Sequence, residues 1–175
     1  MIVSNENINS KKLDFARKVI LGLQNELDEY TKNGAGPFLA SIYDENNKLI
    51  AKTSNTVLAD KCSHSHAEMN AIKEAEKYYG TYDLSKYNLS LYVTAEPCIM
   101  CLGGIMWSGI KNIYYGVPSE TVEKLTGFDE GFKPNWHDEF KQRGITVYGN
   151  IEPEAGEKAL KNYMENGLTV YKPAR

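Results

Sequence analysis

Cysteine is scarce in this chain of 175 residues: there are three, Cys62, Cys98 and Cys101. An odd count, with two of them in a C-x-x-C, is not the even framework of a disulfide-stapled secreted domain. Long apolar runs are missing as well. No stretch approaches the ~18 residues that span a bilayer. The first ten residues, MIVSNENINS, lack the charged start and apolar run of a secretory signal. The cytoplasm is therefore the expected compartment, with no membrane partner. Long basic runs are also absent, and the net charge is −3. The electrostatic footprint of polyanion binding is missing, which makes nucleic acid a disfavoured partner.

What is present suits a soluble enzyme-sized unit. Hydrophobic residues make up 42% and charged residues 25%, enough apolar material for one core without covalent staples. Residues 10–32 place Leu13, Ala16, Val19, Ile20, Leu23, Leu27 and Tyr30 at helical spacing, with Ser10 as the expected N-cap. Asn33-Gly34-Ala35-Gly36-Pro37 then breaks the chain. Strands over 38–43 and 49–55 flank the turn Asp44-Glu45-Asn46-Asn47 and so run antiparallel. A polar connection, 56–65, leads to a helix over 66–79 with Ala67, Ala71, Ile72 and Ala75 as its apolar face.

A strand at 89–94, a helix over 97–107 opened by Pro97, and a strand at 110–115 follow. Residues 116–136 read as irregular, with Gly127-Phe128-Asp129-Glu130-Gly131-Phe132 as an ordered loop. A helix over 137–143, a strand at 145–148 and a helix over 155–166 complete the pattern, and the tail 168–175 is unassigned. A hairpin followed by strand–helix–strand units predicts an α/β fold: one mixed sheet with helices on both faces. The helix between strands four and five lets those two run parallel. No repeat or linker interrupts the chain, so one domain over 1–175 is expected.

The chemistry lies in two short motifs, His66-Ala67-Glu68 and Pro97-Cys98-Ile99-Met100-Cys101. Cys98 and Cys101, three apart in the first turn of a helix, share a face. The positive end of that helix favours thiolate, the form that binds metal. With His66 they make three ligands for zinc, and a catalytic zinc keeps its fourth position for water. Zinc lowers the pKa of a bound water toward ~7. Glu68 is the group to take that proton and return it to the ring and the leaving amine. In a regular helix Glu68 and His66 would point to different sides, so the helix start must be looser. A C-x-x-C alone is equally a redox pair or half of a structural zinc site. The combination H-x-E with P-C-x-x-C, in this order, is the signature of zinc nucleobase deaminases. His64 reads as a solvated loop residue, Cys62 as a packed or spectator thiol, and His137 as a surface-helix residue.

With these motifs the sequence resembles the cytidine deaminase superfamily over roughly residues 10–150. Glu96-Pro97-Cys98-Ile99-Met100-Cys101-Leu102-Gly103-Gly104-Ile105-Met106-Trp107 is similar to its guanine deaminase and tRNA adenosine deaminase branch. The resemblance implies a three-layer α/β/α sandwich with a five-stranded sheet, one Zn2+ per chain, and a homodimer. Trp107 and the Gly127-Phe128-Asp129-Glu130 tract resemble the guanine deaminase side. By that resemblance Glu130 is a second catalytic carboxylate and Asn55 the amide that holds the base. Phe38 and Trp107 are candidates to sandwich a planar ring, although a Phe in a strand serves a core equally well. Tyr163 and Tyr171 are candidates for a tail that enters an active site, because some guanine deaminases of this fold donate theirs across the dimer.

The expected activity is zinc-dependent hydrolytic deamination of a nucleobase or nucleoside, with guanine first among substrates. A tRNA adenosine deaminase would need a basic surface and a pocket for a flipped nucleotide. Cytosine, other aminopurines and aminotriazines stay open. A non-catalytic zinc-binding interaction protein would have no use for Glu68.

Overall fold

A computed structural model describes residues 9–172. The eight N-terminal residues of the segment read for a signal, and the last three of the tail, lie outside them. Helix α1 (Ser10–Lys32) begins where Asn9, not Ser10, supplies the cap: its side chain accepts from the backbone N–H of Lys11 at 3.0 Å. The hairpin β1 (Gly36–Tyr43) and β2 (Leu49–Asn55) pairs antiparallel. It is followed by the short α2 (Val57–Asp60) and by α3 (Ala67–Tyr79). Then come β3 (Ser90–Ala95), α4 (Ile99–Ser108) and β4 (Asn112–Val117). The chain continues through α5 (Ser119–Thr126), α6 (Trp136–Gln142), β5 (Thr146–Tyr148) and α7 (Pro153–Glu165).

The five strands form one mixed sheet in the order β2-β1-β3-β4-β5, with β3, β4 and β5 parallel. The expectation that the last two strands run parallel holds. Alternation along each strand sorts the core into two layers. Ala40, Ile42, Leu91, Val93, Ile113 and Val147 face α3, α4 and α6, meeting Ala71, Ile72, Leu102, Ile105 and Phe140. Leu39, Tyr92 and Tyr114 face the other way, onto Ala16, Ile20, Leu23 and Leu27 of α1 and Ala159 of α7. Three layers result, as expected.

The second face carries an aromatic ladder. Tyr92, Tyr114 and Tyr148 are in register on β3, β4 and β5. Their rings stack at 4.6 and 4.9 Å, because strand spacing and ring spacing are both close to ~4.8 Å. Such pairs are worth roughly 0.5–1.5 kcal/mol each beyond area burial.

Two elements depart from the sequence reading. The polar connection contains α2, and the stretch taken as irregular contains α5. The signals for α5 were local: Pro118 before it, Glu120 in its first turn, Lys124 in its last and Gly127 in the left-handed conformation after it. Val122 and Thr126 are its buried face. Eight residues give too short a periodicity to stand out against two nearby prolines and three glycines.

Gly149 lies against the buried Tyr115 ring, where a Cβ would fall 2.1 Å from Cζ. Gly149→Ala should lower stability by about 1–3 kcal/mol through overpacking. Thermal melting should fall by roughly 2–4 °C per kcal/mol. Gly22, with open space around it in α1, provides the control. Gly22→Ala should leave melting unchanged or raise it, by about 0.5–1 kcal/mol of helix propensity. Equal melting of the two variants would show that the Tyr115 contact is not tight.

Candidate active site

The sheet topology gathers the motif residues at one edge. Gly36 at the start of β1 pairs with Asn55 at the end of β2. Since β1 and β3 are antiparallel, the start of β1 and the end of β3 share that edge. The chain leaves β3 through Glu96, whose N–H donates to the Val117 carbonyl at 2.8 Å, and reaches Cys98. Cys98 is the residue before α4, in extended backbone (φ −68°, ψ 170°). His66 holds the same position before α3 (φ −71°, ψ 156°). Asn70 fastens the preceding loop. Its amide donates to the Ser54 carbonyl and to Thr56 Oγ1, both at 3.0 Å.

Helix α4 thus starts two residues later than the sequence reading placed it, and α3 one residue later. The shift resolves the geometry of His66 and Glu68. His66 is outside the helix and Glu68 is inside its first turn, so both side chains reach the same cleft.

His66 Nδ1 lies 3.5 Å from Cys98 Sγ and 3.6 Å from Cys101 Sγ. The three donor atoms fall within 4.8 Å of one another, the one such cluster among the described residues. With zinc–nitrogen and zinc–sulfur bonds of ~2.05 and ~2.3 Å, two ligands of a tetrahedral ion stand about 3.6 Å apart. The donor set and its spacing therefore fit zinc. Cys98 is pulled down to about 4 by the Cys101 thiol and His66, even against burial, so it is held as thiolate. The start of α4 favours that charge as well.

Around these donors is a cleft of about 1130 Å³. Glu68, 8% exposed, lines it. Burial, with the Cys98 charge adding to it, pushes its carboxyl up to about 7, close to the ideal for a group that both takes and returns protons. Glu130 enters from the loop after α5. Its N–H donates to Glu123 Oε1 at 3.1 Å and its carbonyl accepts from the Ile99 N–H at 3.3 Å. Burial pushes the Glu130 carboxyl up to about 8, against the pull of Lys133.

Asn55 is 1% exposed. Its Oδ1 accepts from the Val57 N–H at 3.2 Å and its Nδ2 donates to the Tyr171 hydroxyl at 2.5 Å. Gly36 makes room for it, since a Cβ there would sit 2.8 Å from that Oδ1.

Phe38 lines the cleft edge-on to Phe128, with ring centroids 5.2 Å apart. Phe128 meets Tyr171 at 5.1 Å. The aromatic wall is therefore Phe38, Phe128 and Tyr171. Trp107 is the correction: it is 83% exposed and lines a separate shallow depression with Tyr82 and Met69. It lies roughly 240° around α4 from the buried Cys101, so the face that holds the metal cannot also present it.

Tyr171 reaches the cleft from this chain's own tail. Tyr163 does not; its buried hydroxyl donates to the Thr169 carbonyl at 2.6 Å and anchors that tail. His64 is exposed beside Cys62, and His137 stacks on Trp136 at 3.8 Å; neither joins the ligand cluster. Sequence reasoning missed Asn70 and Lys133, which carry no motif spacing, and gave Glu96 and Phe128, quoted inside the stretches of resemblance, no role of their own.

Residues 15–117 match the model of the cytidine and deoxycytidylate deaminase zinc-binding region. The span contains His66, Glu68, Cys98 and Cys101. The chain belongs to this family. As a deaminase it removes an amine from carbon by hydrolysis. It is 33% identical to the guanine deaminase of Bacillus subtilis over 128 residues, 73% of this chain and 70% of that protein. It is 36% identical to a probable cytosine deaminase of Schizosaccharomyces pombe over 124 residues, 71% of each. Among solved structures, the guanine deaminase from Nitrosomonas europaea superposes with a TM-score of 0.78 at 33% identity, covering 82% of this deaminase and 81% of that chain. A protein solved with 2,6-diaminopurine superposes at 0.83 and 31% identity, covering 90% and 85%. The family match ends before α5, so Glu130, Lys133 and Tyr171 lie beyond it. No described helix of the deaminase is long and apolar enough to cross a membrane.

Elemental analysis of the purified deaminase should find about one zinc per chain. Cys101→Ala should lose most of it, whereas Glu68→Gln should keep it. Full zinc occupancy in Cys101→Ala would remove that sulfur from the ligand set.

Proposed function

We propose that this deaminase acts on guanine, replacing its exocyclic amine with oxygen and releasing ammonia. The observation that carries the reading is the pairing of two buried carboxylates, Glu68 and Glu130, in the one cleft that holds the metal donors. A purine offers several ring nitrogens to protonate and release, and two carboxylates of raised pKa can divide that work. The relatives named as guanine deaminases, and the neighbour solved with an aminopurine, support the purine.

Zinc on His66, Cys98 and Cys101 supplies Lewis acidity that brings the pKa of water toward ~7. Glu68 accepts a proton from the attacking water. As the water oxygen bonds to the amine-bearing carbon, Glu68 passes that proton to the adjacent ring nitrogen. The second proton, from the new hydroxyl, is relayed by Glu130 and Glu68 to the departing amine; the carbon–oxygen double bond forms as the carbon–nitrogen bond breaks, and ammonia leaves. Glu130 also binds the ring edge. Asn55 can donate and accept at once, which suits a heteroaromatic edge. Phe38, Phe128 and Tyr171 supply apolar walls for the ring.

At the cleft Glu96 and Asp129 offset Lys61 and Lys172, and burial raises the Glu68 and Glu130 carboxyls toward the neutral form, so no excess of positive charge lines it. That balance suits an uncharged base better than a phosphorylated substrate or tRNA. The same reading carries one catalytic domain over 1–175, a place in cytoplasmic purine metabolism, and a homodimer. The exposed Trp107 and Tyr82 support an interface.

The test is ammonia release from guanine, guanosine, adenine, cytosine, cytidine and anticodon-loop RNA. Guanine should give the highest kcat/KM; a preference for cytosine would transfer the reading to pyrimidines. Glu68→Gln should lower kcat by about 10²–10⁴-fold with zinc retained. Glu130→Gln should slow guanine by at least about 10²-fold. Near-normal turnover in either variant would remove that carboxylate from the mechanism.

A further inference from the structure

We propose that Lys133 is a positioning residue for this reaction: it aims the Glu130 carboxylate into the cleft by tying it to Glu96 at the turn that carries Cys98. This rests on the reading of Glu130 given above. Lys133 is 12% exposed in its side chain, and its Nζ stands 3.2 Å from Glu96 Oε1 and 3.9 Å from Glu130 Oε2. It also donates to Ser119 Oγ at the start of α5. Lysine is rarely buried to this degree without partners. Here one ammonium stands between two carboxylates that are themselves largely buried.

The division of labour around Glu130 makes the role specific. The loop from Gly127 to Asn135 has no helix or strand, so its shape depends on individual bonds. The backbone of Glu130 is held without Lys133, by Glu123 at its N–H and by Ile99 at its carbonyl. Gly131 then turns with φ +78°, and its N–H is fixed on Asp129 Oδ1 at 2.9 Å. What Lys133 adds is the direction of the carboxylate and a balancing charge beside it. Glu96 anchors the other end of the bridge. Its Oε2 accepts from the Ser119 N–H at 3.1 Å, so the carboxylate cannot swing with the loop. The Glu130 loop is thereby referenced to the same turn that places Cys98. A lysine suits this position because two of its three donors are used by Glu96 and Ser119 and its charge still pairs with Glu130 at 3.9 Å.

The test is a double-mutant cycle on the zinc-loaded enzyme with guanine. Lys133→Met should lower kcat/KM by about ten-fold or more, with zinc content and melting temperature close to wild type. Lys133→Arg, which keeps the charge, should recover a substantial part of the loss. Lys133→Met combined with Glu130→Gln should be no worse than about two-fold below Glu130→Gln alone, because the lysine acts through that carboxylate. Lys133→Gln, which retains a donor for Ser119, is the companion variant if Met unfolds the chain.

Multiplicative losses in the double variant would overturn the proposal, as would wild-type activity in both neutral variants. Loss of zinc on removing the lysine would also overturn it, by assigning Lys133 to the Glu96 turn alone. If Glu130→Gln itself turns over guanine normally, the earlier reading of Glu130 fails and takes this one with it. If Glu130→Gln is slow while Lys133→Met and Lys133→Gln are normal, only the positioning role fails.

Discussion

One histidine and two cysteines, with His66 and Cys98 32 residues apart, have to bring both sulfurs to within 3.6 Å of one imidazole nitrogen. An ion of fixed radius tolerates little error in that spacing. The chain meets the condition by placing His66 and Cys98 in the same local setting, the extended residue before a helix. Both helices then point their positive ends at the cluster, which stabilises thiolate. Parallel pairing of β3 with β4 and the return of the β1–β2 hairpin put these two helix starts at one sheet edge.

Burial does the second part of the work. Glu68 and Glu130 are shielded enough that their carboxyls rise to about 7 and about 8. A fully exposed carboxylate would stay ionised and be a poor acid. The fold gives each a different support. Glu68 is rigid on the first turn of α3. Glu130 stands on an irregular loop and relies on hydrogen bonds to α4 and α5 and on the Lys133 bridge. The metal donors with Glu68, and the wall that carries Glu130, are thus built from separate parts of the polypeptide, divided near residue 117, where the match to the zinc-binding region ends.

The core explains why the site edge can be polar. The ladder of Tyr92, Tyr114 and Tyr148 needs no cleft residue, and the aliphatic layer facing α3 and α4 meets the cleft only through apolar Val93 and Phe38. Phe128 and Tyr163 form a smaller cluster with Ala95, Val117, Val122 and Leu160 at the cleft end. That cluster holds the tail down, so Tyr171 reaches Asn55 from within the same chain.

The order and type of the long elements followed from periodicity in the sequence, because three- and four-residue spacing over ten or more positions is a strong local signal. His66, Glu68, Cys98 and Cys101 were legible too, since metal chemistry constrains residue type and short spacing together. The short helices α2 and α5 were not, because one or two turns carry too few apolar positions to show a period. Trp107 illustrates the sharper limit. Its type suited a ring-binding wall, yet the angle between neighbouring faces of α4 sends it to the surface. Lys133 likewise has no meaning until the loop is folded, and of the two tail tyrosines only the folded chain selects Tyr171 for its own cleft. The sequence by itself determined the metal-donor set and the sheet. Only the tertiary structure decided which aromatic rings wall the cleft and which cation stands beside Glu130, because those contacts join segments whose separation leaves no periodic trace.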